Sequence, residues 1–137
     1  MSVYQRSAAG TVRKRLRVFL GTFSGVPPTP EESRARLEFV LRARSELVAG
    51  QGDLFRLLGP PGVADALGAP DRIAAYAETL AAEAMISEAA GQGERAEAIR
   101  KHAVAIAREA QRRAVAPDAD VDSLIARDGR LAVPGNT

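Results

Sequence analysis

The only histidine is the first side chain to consider for catalysis or metal binding, because the chain contains no cysteine. His102 lies in a segment with helical periodicity, and its neighbours three and four positions away are Ala98, Ile99, Ala105 and Ile106. A catalytic base or a metal ligand on a helix needs polar partners at that spacing. A structural or surface role is therefore favoured for His102, and an enzyme that uses this imidazole is the least favoured of three functions.

The carboxylates and glycines lack the spacing of a catalytic, metal or cofactor site. Asp118, Asp120 and Asp122 alternate as in a calcium loop, but the glycine and the closing glutamate of such a loop are missing. The glycine-rich turns lack the Lys-Ser or Lys-Thr pair that follows a phosphate-binding loop. The absence of cysteine also argues against a disulfide scaffold, a zinc knuckle and a thiol nucleophile. We therefore expect no catalytic residue, no metal and no cofactor.

The basic residues near the N-terminus are the most informative charged group. Residues 1–30 hold five bases and no acid, whereas residues 31–137 hold 14 bases against 17 acids, so the net charge of +2 combines a basic start with an acidic remainder. Apolar side chains recur on one face of a helix predicted at 8–23, and bases occupy its other faces. The candidates for contact with a partner or with phosphate are Arg6, Arg13, Lys14, Arg15, Arg17, Phe19 and Phe23.

A basic amphipathic helix fits three binding functions. It can contact a nucleic-acid backbone, lie on an anionic membrane, or dock its apolar face on a partner subunit. Phe19 and Phe23 both fall on the apolar face, so no aromatic platform for base stacking is predicted, and nucleic-acid contact would be independent of sequence. The remaining alternative is the first helix of a bundle whose bases simply face water.

Composition favours a small protein built from helices. A chain of 137 residues corresponds to one domain, and 46% hydrophobic residues exclude wholesale disorder. Only 4% of the residues are aromatic, whereas 27 are alanine. Alanine cores require backbones to approach closely, which helices do well. The predicted fold is all-α, a small helical bundle or stacked helical hairpins with four main helices, one or two short ones and an extended C-terminal tail.

Capping signals and breakers place the elements. Helices are predicted at 8–23, 30–49, 53–58, from about 70 to the glycines at 91–93, and at 94–114, with a further turn at 63–67. The second begins with a Thr29-Pro30-Glu31-Glu32 capping box. The helix after residue 70 is apolar nearly all round, so it should lie between neighbours. The predicted core comprises Leu37, Val40, Leu41, Leu47, Phe55, Leu58, Ile73, Tyr76, Leu80, Ile99 and Ile106.

Residues 93–99 (Gly-Glu-Arg-Ala-Glu-Ala-Ile) resemble the turn and the start of the second helix of a tetratricopeptide repeat. Ala105 falls where that family has a small residue. The sequence departs from the family at His102, where an aromatic residue is expected, and at Pro117, which comes several residues late. The resemblance covers about 15 residues and implies a helical hairpin at this place.

Three segments are expected: a basic amphipathic N-terminal arm at 1–28, a helical body at 29–116 and a polar C-terminal tail at 117–137 with at most one helical turn. No stretch approaches the ~18 apolar residues of a membrane span, and the N-terminus lacks the apolar core of a secretory signal. We expect a cytoplasmic protein or part of a soluble particle.

The favoured function is a non-enzymatic structural or adaptor subunit of a larger homo- or hetero-oligomeric assembly, such as a viral particle, a tail or a secretion-type machine. The alternative is a small nucleic-acid-associated protein whose N-terminal helix binds the phosphate backbone.

Overall fold

The computed structural model describes residues 3–48, 51–55 and 57–131, and within these ranges the side chains of residues 3–7 and 131 fall outside the description. All regular secondary structure in these ranges is helical, which confirms the predicted all-α class. The helices are α1 (Val3–Leu20), α2 (Pro30–Val48), α3 (Gly52–Phe55), α4 (Pro60–Leu67), α5 (Pro70–Ala89), α6 (Gly93–Arg113) and α7 (Ala119–Leu131).

The start of α2 follows the predicted capping box. The backbone N–H of Glu32 donates to Thr29 Oγ1 at 3.1 Å, and the N–H of Thr29 donates to Glu32 Oε1 at 3.0 Å. These reciprocal bonds satisfy two N–H groups that a helix start otherwise leaves without partners. The hydrogen bond from the Thr29 backbone is also the main reason that the pKa of the Glu32 carboxyl lies below its usual value.

Helix α5 lies at the centre of the molecule and packs against α1, α2, α6 and, more lightly, α4 and α7. Thirteen of its residues are buried, from Ile73 to Ser87, and they point in all directions around its axis. This confirms the prediction that the helix lies between neighbours. Its closest partner is α6, and alanines of both helices are buried where the two backbones approach.

Residue pairs relate neighbouring helices to each other. Phe19 stacks on Phe39, and Arg15, earlier in α1, pairs with Glu46, later in α2, so α1 and α2 run antiparallel. Gln111 near the end of α6 bonds Asp122 near the start of α7, so the two helices stay in contact across the short connection between them. The α5–α6 hairpin implied by the tetratricopeptide-like residues is present, and its turn uses Gly91 at φ +82°, a left-handed conformation that favours glycine.

Several element boundaries differ from the predicted ones. Helix α1 was expected at 8–23 but spans Val3–Leu20, because the chain leaves the helix in a turn directly after Leu20. Helix α3 ends at Phe55 instead of 58. Helix α4 begins at Pro60, three residues before the predicted turn, since a proline fits the first helical turn, where its missing N–H costs nothing.

The largest correction concerns the C-terminus, where an extended tail with at most one helical turn was expected. Residues 119–131 instead form the 13-residue helix α7. Val121 and Leu124 are 2% exposed and belong to the same core as α5. The apolar spacing of three residues therefore marked a helix face rather than an isolated turn. Residues 132–137 of the predicted tail lie outside the described residues.

The predicted core is confirmed at most positions. The buried members are Val40, Leu47, Phe55, Ile73, Tyr76, Leu80 and Ile106, and the partly buried ones that pack against them are Leu37, Leu58 and Ile99. The prediction for Leu41 was wrong, since its side chain is 43% exposed. Leu41 follows the buried Val40 directly, and consecutive residues of a helix point in different directions. The core also takes in Ala9, Val12 and Leu16, so α1 shares it with the rest of the chain.

Candidate functional site

Arg13 lies at the centre of a charged cluster between α1, α5 and the start of α7. Its Nε donates to Glu78 Oε2 at 2.9 Å, and its two Nη atoms donate to the two oxygens of Asp118 at 3.0 and 3.1 Å. The carboxylates of Asp71 and Asp120 each come within 3.8 Å of a guanidinium nitrogen. We call these five residues the Arg13 cluster. It surrounds one arginine, whose side chain is 12% exposed, with four acids.

Asp118 has two structural functions in this cluster. Its Oδ1 accepts the backbone N–H groups of Asp120 and Val121 at 3.1 and 3.2 Å, as an N-cap residue does. The same carboxylate accepts the paired hydrogen bonds from Arg13. Asp118 therefore caps the start of α7 and also attaches that start to α1 through Arg13, which lies 105 positions earlier in the chain.

The cluster shifts the protonation of its members in opposite directions. The hydrogen bond from Arg13 is the main reason that the pKa of Asp118 lies below its usual value. Burial raises the pKa of Glu78, and Arg13 only partly offsets this. For Arg13, burial alone would lower the pKa, but the hydrogen bonds to Asp118 and the charge of Glu78 raise it above its ordinary value. The guanidinium therefore remains charged.

The other basic candidates of α1 are divided between internal pairs and solvent. Arg15 donates to Glu46 of α2 at 2.8 Å, and Arg17 donates to Asp120 at 3.1 Å. Lys14 is exposed, and the side chain of Arg6 lies outside the described residues. Three of the four clustered bases at 13–17 thus hold carboxylates of this chain. Their predicted contact with a partner or with phosphate stays a prediction.

The two aromatic candidates contact each other and α2. Phe19 stacks on Phe39 with ring centroids 4.0 Å apart, and Phe23 meets Phe19 edge-on at 5.1 Å. The guanidinium of Arg36 lies 4.2 Å above the Phe23 ring. Both candidate rings are partly buried against the core. They close the α1–α2 end of the protein with aromatic and cation–π contacts.

A concavity of about 730 Å³ lies beside the Arg13 cluster. It is formed by the start of α5, the end of α6, the turn at 114–118 and the first turn of α7. Alanines and prolines cover much of its wall, and Asp71, Asp118 and Asp122 contribute carboxylates. Val115 also lines it and is fully exposed. We call this feature the Val115 concavity.

A second charged cluster joins α2, α5 and α6. Arg44 donates from Nε to Thr79 Oγ1 at 2.9 Å and from Nη2 to Glu83 Oε1 at 2.7 Å. Arg95 of α6 reaches the other oxygen of Glu83 at 3.4 Å. We call these four residues the Arg44 cluster. It places two bases on one carboxylate, whose side chain is 9% exposed.

His102 is half-buried on α6, near the Arg44 cluster. Burial lowers the pKa of its imidazole, the charge of Arg44 lowers it further, and Glu83 opposes both effects. The residues three and four positions from His102 on its own helix are apolar, as noted above. In the part of the chain that the structure describes, no three His, Asp or Glu side chains are grouped so that they could hold a metal ion.

The features that the sequence did not predict are mostly long-range ones, with α7 as the exception. Nothing near Arg13 marks Glu78 as its partner, because the two lie 65 positions apart. A local signal did exist for α7, since Pro117 and Asp118 precede apolar residues with helical spacing. The full exposure of Val115 had no signal in the sequence, since a valine between alanines is equally compatible with burial.

Comparison of the chain with protein-family models, with curated proteins and with solved structures finds no match. Among the described helices, none combines the length and the apolar character that crossing a membrane requires. The function must therefore be inferred from the residues and surfaces of this chain alone.

Proposed function

We propose that this chain is a non-enzymatic subunit that binds another protein through the Val115 concavity and so joins a larger assembly. The observation that carries the proposal is a concavity of about 730 Å³ with a fully exposed valine at its wall. Side chains of a partner would fill it, since the side chains that dominate protein–protein affinity are typically buried in pockets of the other protein. The proposed assembly is of the kind found in viral particles, tails and secretion-type machines.

The internal pairing of the α1 bases favours this function over nucleic-acid binding. Arg13, Arg15 and Arg17 already hold carboxylates of α2, α5 and the α7 start. A phosphate backbone would have to compete with those carboxylates for each guanidinium, and phosphate contact supplies most of the affinity of sequence-independent binding. Enzymatic chemistry has less support still, because Glu83, the acid of the Arg44 cluster whose charge acts on His102, is held by two arginines.

A cysteine-directed crosslinking experiment tests the proposal. The chain contains no cysteine, so Val115→Cys introduces the only thiol, and a photo-crosslinker attached there reports on contacts of the concavity. Val26→Cys is the matched control, since Val26 is 70% exposed in the loop between α1 and α2. Both labelled chains are irradiated alone and in cell extract, and light scattering measures the mass of the unlabelled chain over a concentration series.

We expect one discrete crosslinked product from position 115 and none of that mass from position 26. If the partner is a second copy, the scattering mass rises with concentration, and Val115→Asp restores the monomer. If the partner is another protein, the purified partner should form a complex with the wild-type chain and a much weaker one with Val115→Asp. A monomer at every concentration, with equal crosslinking from the two positions, would contradict the proposal.

A further inference from the structure

We propose that the segment bound in the Val115 concavity carries arginine or lysine side chains next to apolar ones. This inference rests on the proposed function and names the chemistry of the partner. It commits to a protein segment, because the fully exposed Val115 belongs to the wall and offers apolar surface that only a larger partner would cover.

The charges around the concavity favour a basic occupant. Three aspartates line it, Asp71, Asp118 and Asp122, whereas the described residues that line it include no lysine or arginine. A carboxylate offers about four acceptor positions on its two oxygens. The contact of Asp71 with Arg13 is a distant one at 3.8 Å, and Asp122 accepts one hydrogen bond, from Gln111 at 2.9 Å. Both therefore retain acceptor positions for further donors.

The contact between Arg13 and Asp118 is an example, within this chain, of an arginine bound by one of these aspartates. The guanidinium binds Asp118 through two parallel hydrogen bonds, a geometry that arginine forms with carboxylates more readily than lysine does. With Arg17 on Asp120, two arginines face the four acids, so negative charge remains in excess where the Arg13 cluster borders the concavity. A further base supplied by a partner would reduce that excess, whereas an acidic segment or a phosphate backbone would be repelled.

The apolar part of the occupant follows from the rest of the wall. Ala69, Pro70 and Ala114 are half-buried in the wall, and their small side chains leave room that larger side chains of a partner would fill. Val115, Ala116 and Pro117 of the turn are exposed and provide the apolar surface that a partner can cover, whereas Val121 lies buried beneath them. Burial of such surface supplies the affinity, and the aspartates supply the preference for a basic segment.

Selection from a random peptide library tests the inference. Phage-displayed peptides are enriched on the immobilised wild-type chain after subtraction on Val115→Ser, which removes the exposed apolar side chain without adding charge, and the enriched sequences are counted. We expect arginine and lysine to exceed aspartate and glutamate beside Leu, Ile, Val or Phe. The best peptide should bind Asp71→Asn/Asp122→Asn at least about fivefold more weakly than wild type. Glu97→Gln is the matched control: Glu97 is a partly buried acid of α6 that pairs with Lys101 and does not line the concavity, so affinity should change less than about twofold.

The outcomes separate the inference from the proposed function. Enriched peptides without excess basic residues, or equal affinity for Asp71→Asn/Asp122→Asn and wild type, overturn the basic partner and leave the docking surface intact. Failure to enrich any peptide over Val115→Ser counts against the docking surface as well. Circular dichroism of each variant, compared with wild type, establishes that the helices are retained.

Discussion

Arg13 and Arg44 reach α5 from different helices, and each binds a glutamate of that helix. Glu78 is held by Arg13, which it shares with three aspartates, whereas Glu83 is held by both Arg44 and Arg95. The Arg13 cluster therefore has an excess of acids and borders the Val115 concavity. The Arg44 cluster has an excess of bases and lies between packed helices. The same residue pair, arginine with glutamate, leaves acids in excess beside a concavity at one place and joins packed helices at the other.

Replacing the two arginines one at a time should separate the clusters most strongly. Arg13→Met leaves Glu78 and Asp118 close together and without their arginine, so we expect a loss of about 2–4 kcal/mol of unfolding free energy. Arg44→Met leaves Glu83 with Arg95, so a loss of about 1–2 kcal/mol is expected. Chemical denaturation followed by far-UV circular dichroism measures both. Equal losses would show that acid excess does not distinguish the two clusters.

Substitutions of Asp118 should divide its two functions. Asp118→Ala removes the cap of α7 and the pair with Arg13, with an expected loss of about 2–3 kcal/mol. Asp118→Asn keeps a capping oxygen and one acceptor for Arg13, so about 1 kcal/mol is expected. Hydrogen exchange of the α7 amides should be faster in the alanine variant. Asp122→Ala, an exposed acid of the same helix, serves as control and should lie within about 0.5 kcal/mol of wild type.

Glu78 should make stability fall as pH rises. Because its folded pKa lies above the unfolded value of 4.5, the folded state binds the proton more tightly. Its contribution is fully present below that value and is lost as pH rises through the folded pKa. Glu78→Gln should remove this decrease, and denaturation midpoints of both proteins over a pH series measure it. Asp118 has the opposite sign: its contribution is present above 3.8 and is lost as pH falls through its lowered pKa.

The pKa of His102 should show the smallest of the predicted effects, and it reports directly on the charges of the Arg44 cluster. As the only histidine, it gives an unambiguous imidazole resonance in an NMR titration. Its pKa should lie below 6.5, should move upward in Arg44→Met and should move downward in Glu83→Gln. Its contribution to stability is present above 6.5 and is lost as pH falls through the folded pKa. An unchanged pKa in Arg44→Met would show that the arginine does not act on the imidazole.

Local signals predicted part of the fold because helices depend on near neighbours. The Thr29–Glu32 box located the start of α2 to the residue, since both hydrogen bonds of a capping box join residues three apart. The same kind of signal, Asp118 before Val121 and Leu124, is followed by Asp-Gly and Pro-Gly turn signals at 128–129 and 134–135, and these led to the prediction of a tail. That error was one of weighing local signals, since the cap and the helical spacing were present in the sequence.

The candidate site was predicted less completely. The sequence identified α1 as a basic amphipathic helix and named Arg13 and Arg17, and both residues do belong to charged pairs. It did not identify their partners, which are carboxylates 65 to 105 positions away. Charge counting can show that a helix is basic, but it cannot show which acids the packed helices bring to it.

Local sequence patterns alone predicted the all-α class, the start of α2 and the position of α5 between neighbouring helices. They could do so because periodicity and capping depend on residues only three or four positions apart. The tertiary structure decided that α1 contributes to the core, that Asp118 both starts α7 and binds Arg13, and that Val115 is exposed beside three aspartates. Those features depend on which helix faces meet, and that is settled by burial and charge pairing between residues far apart in the chain.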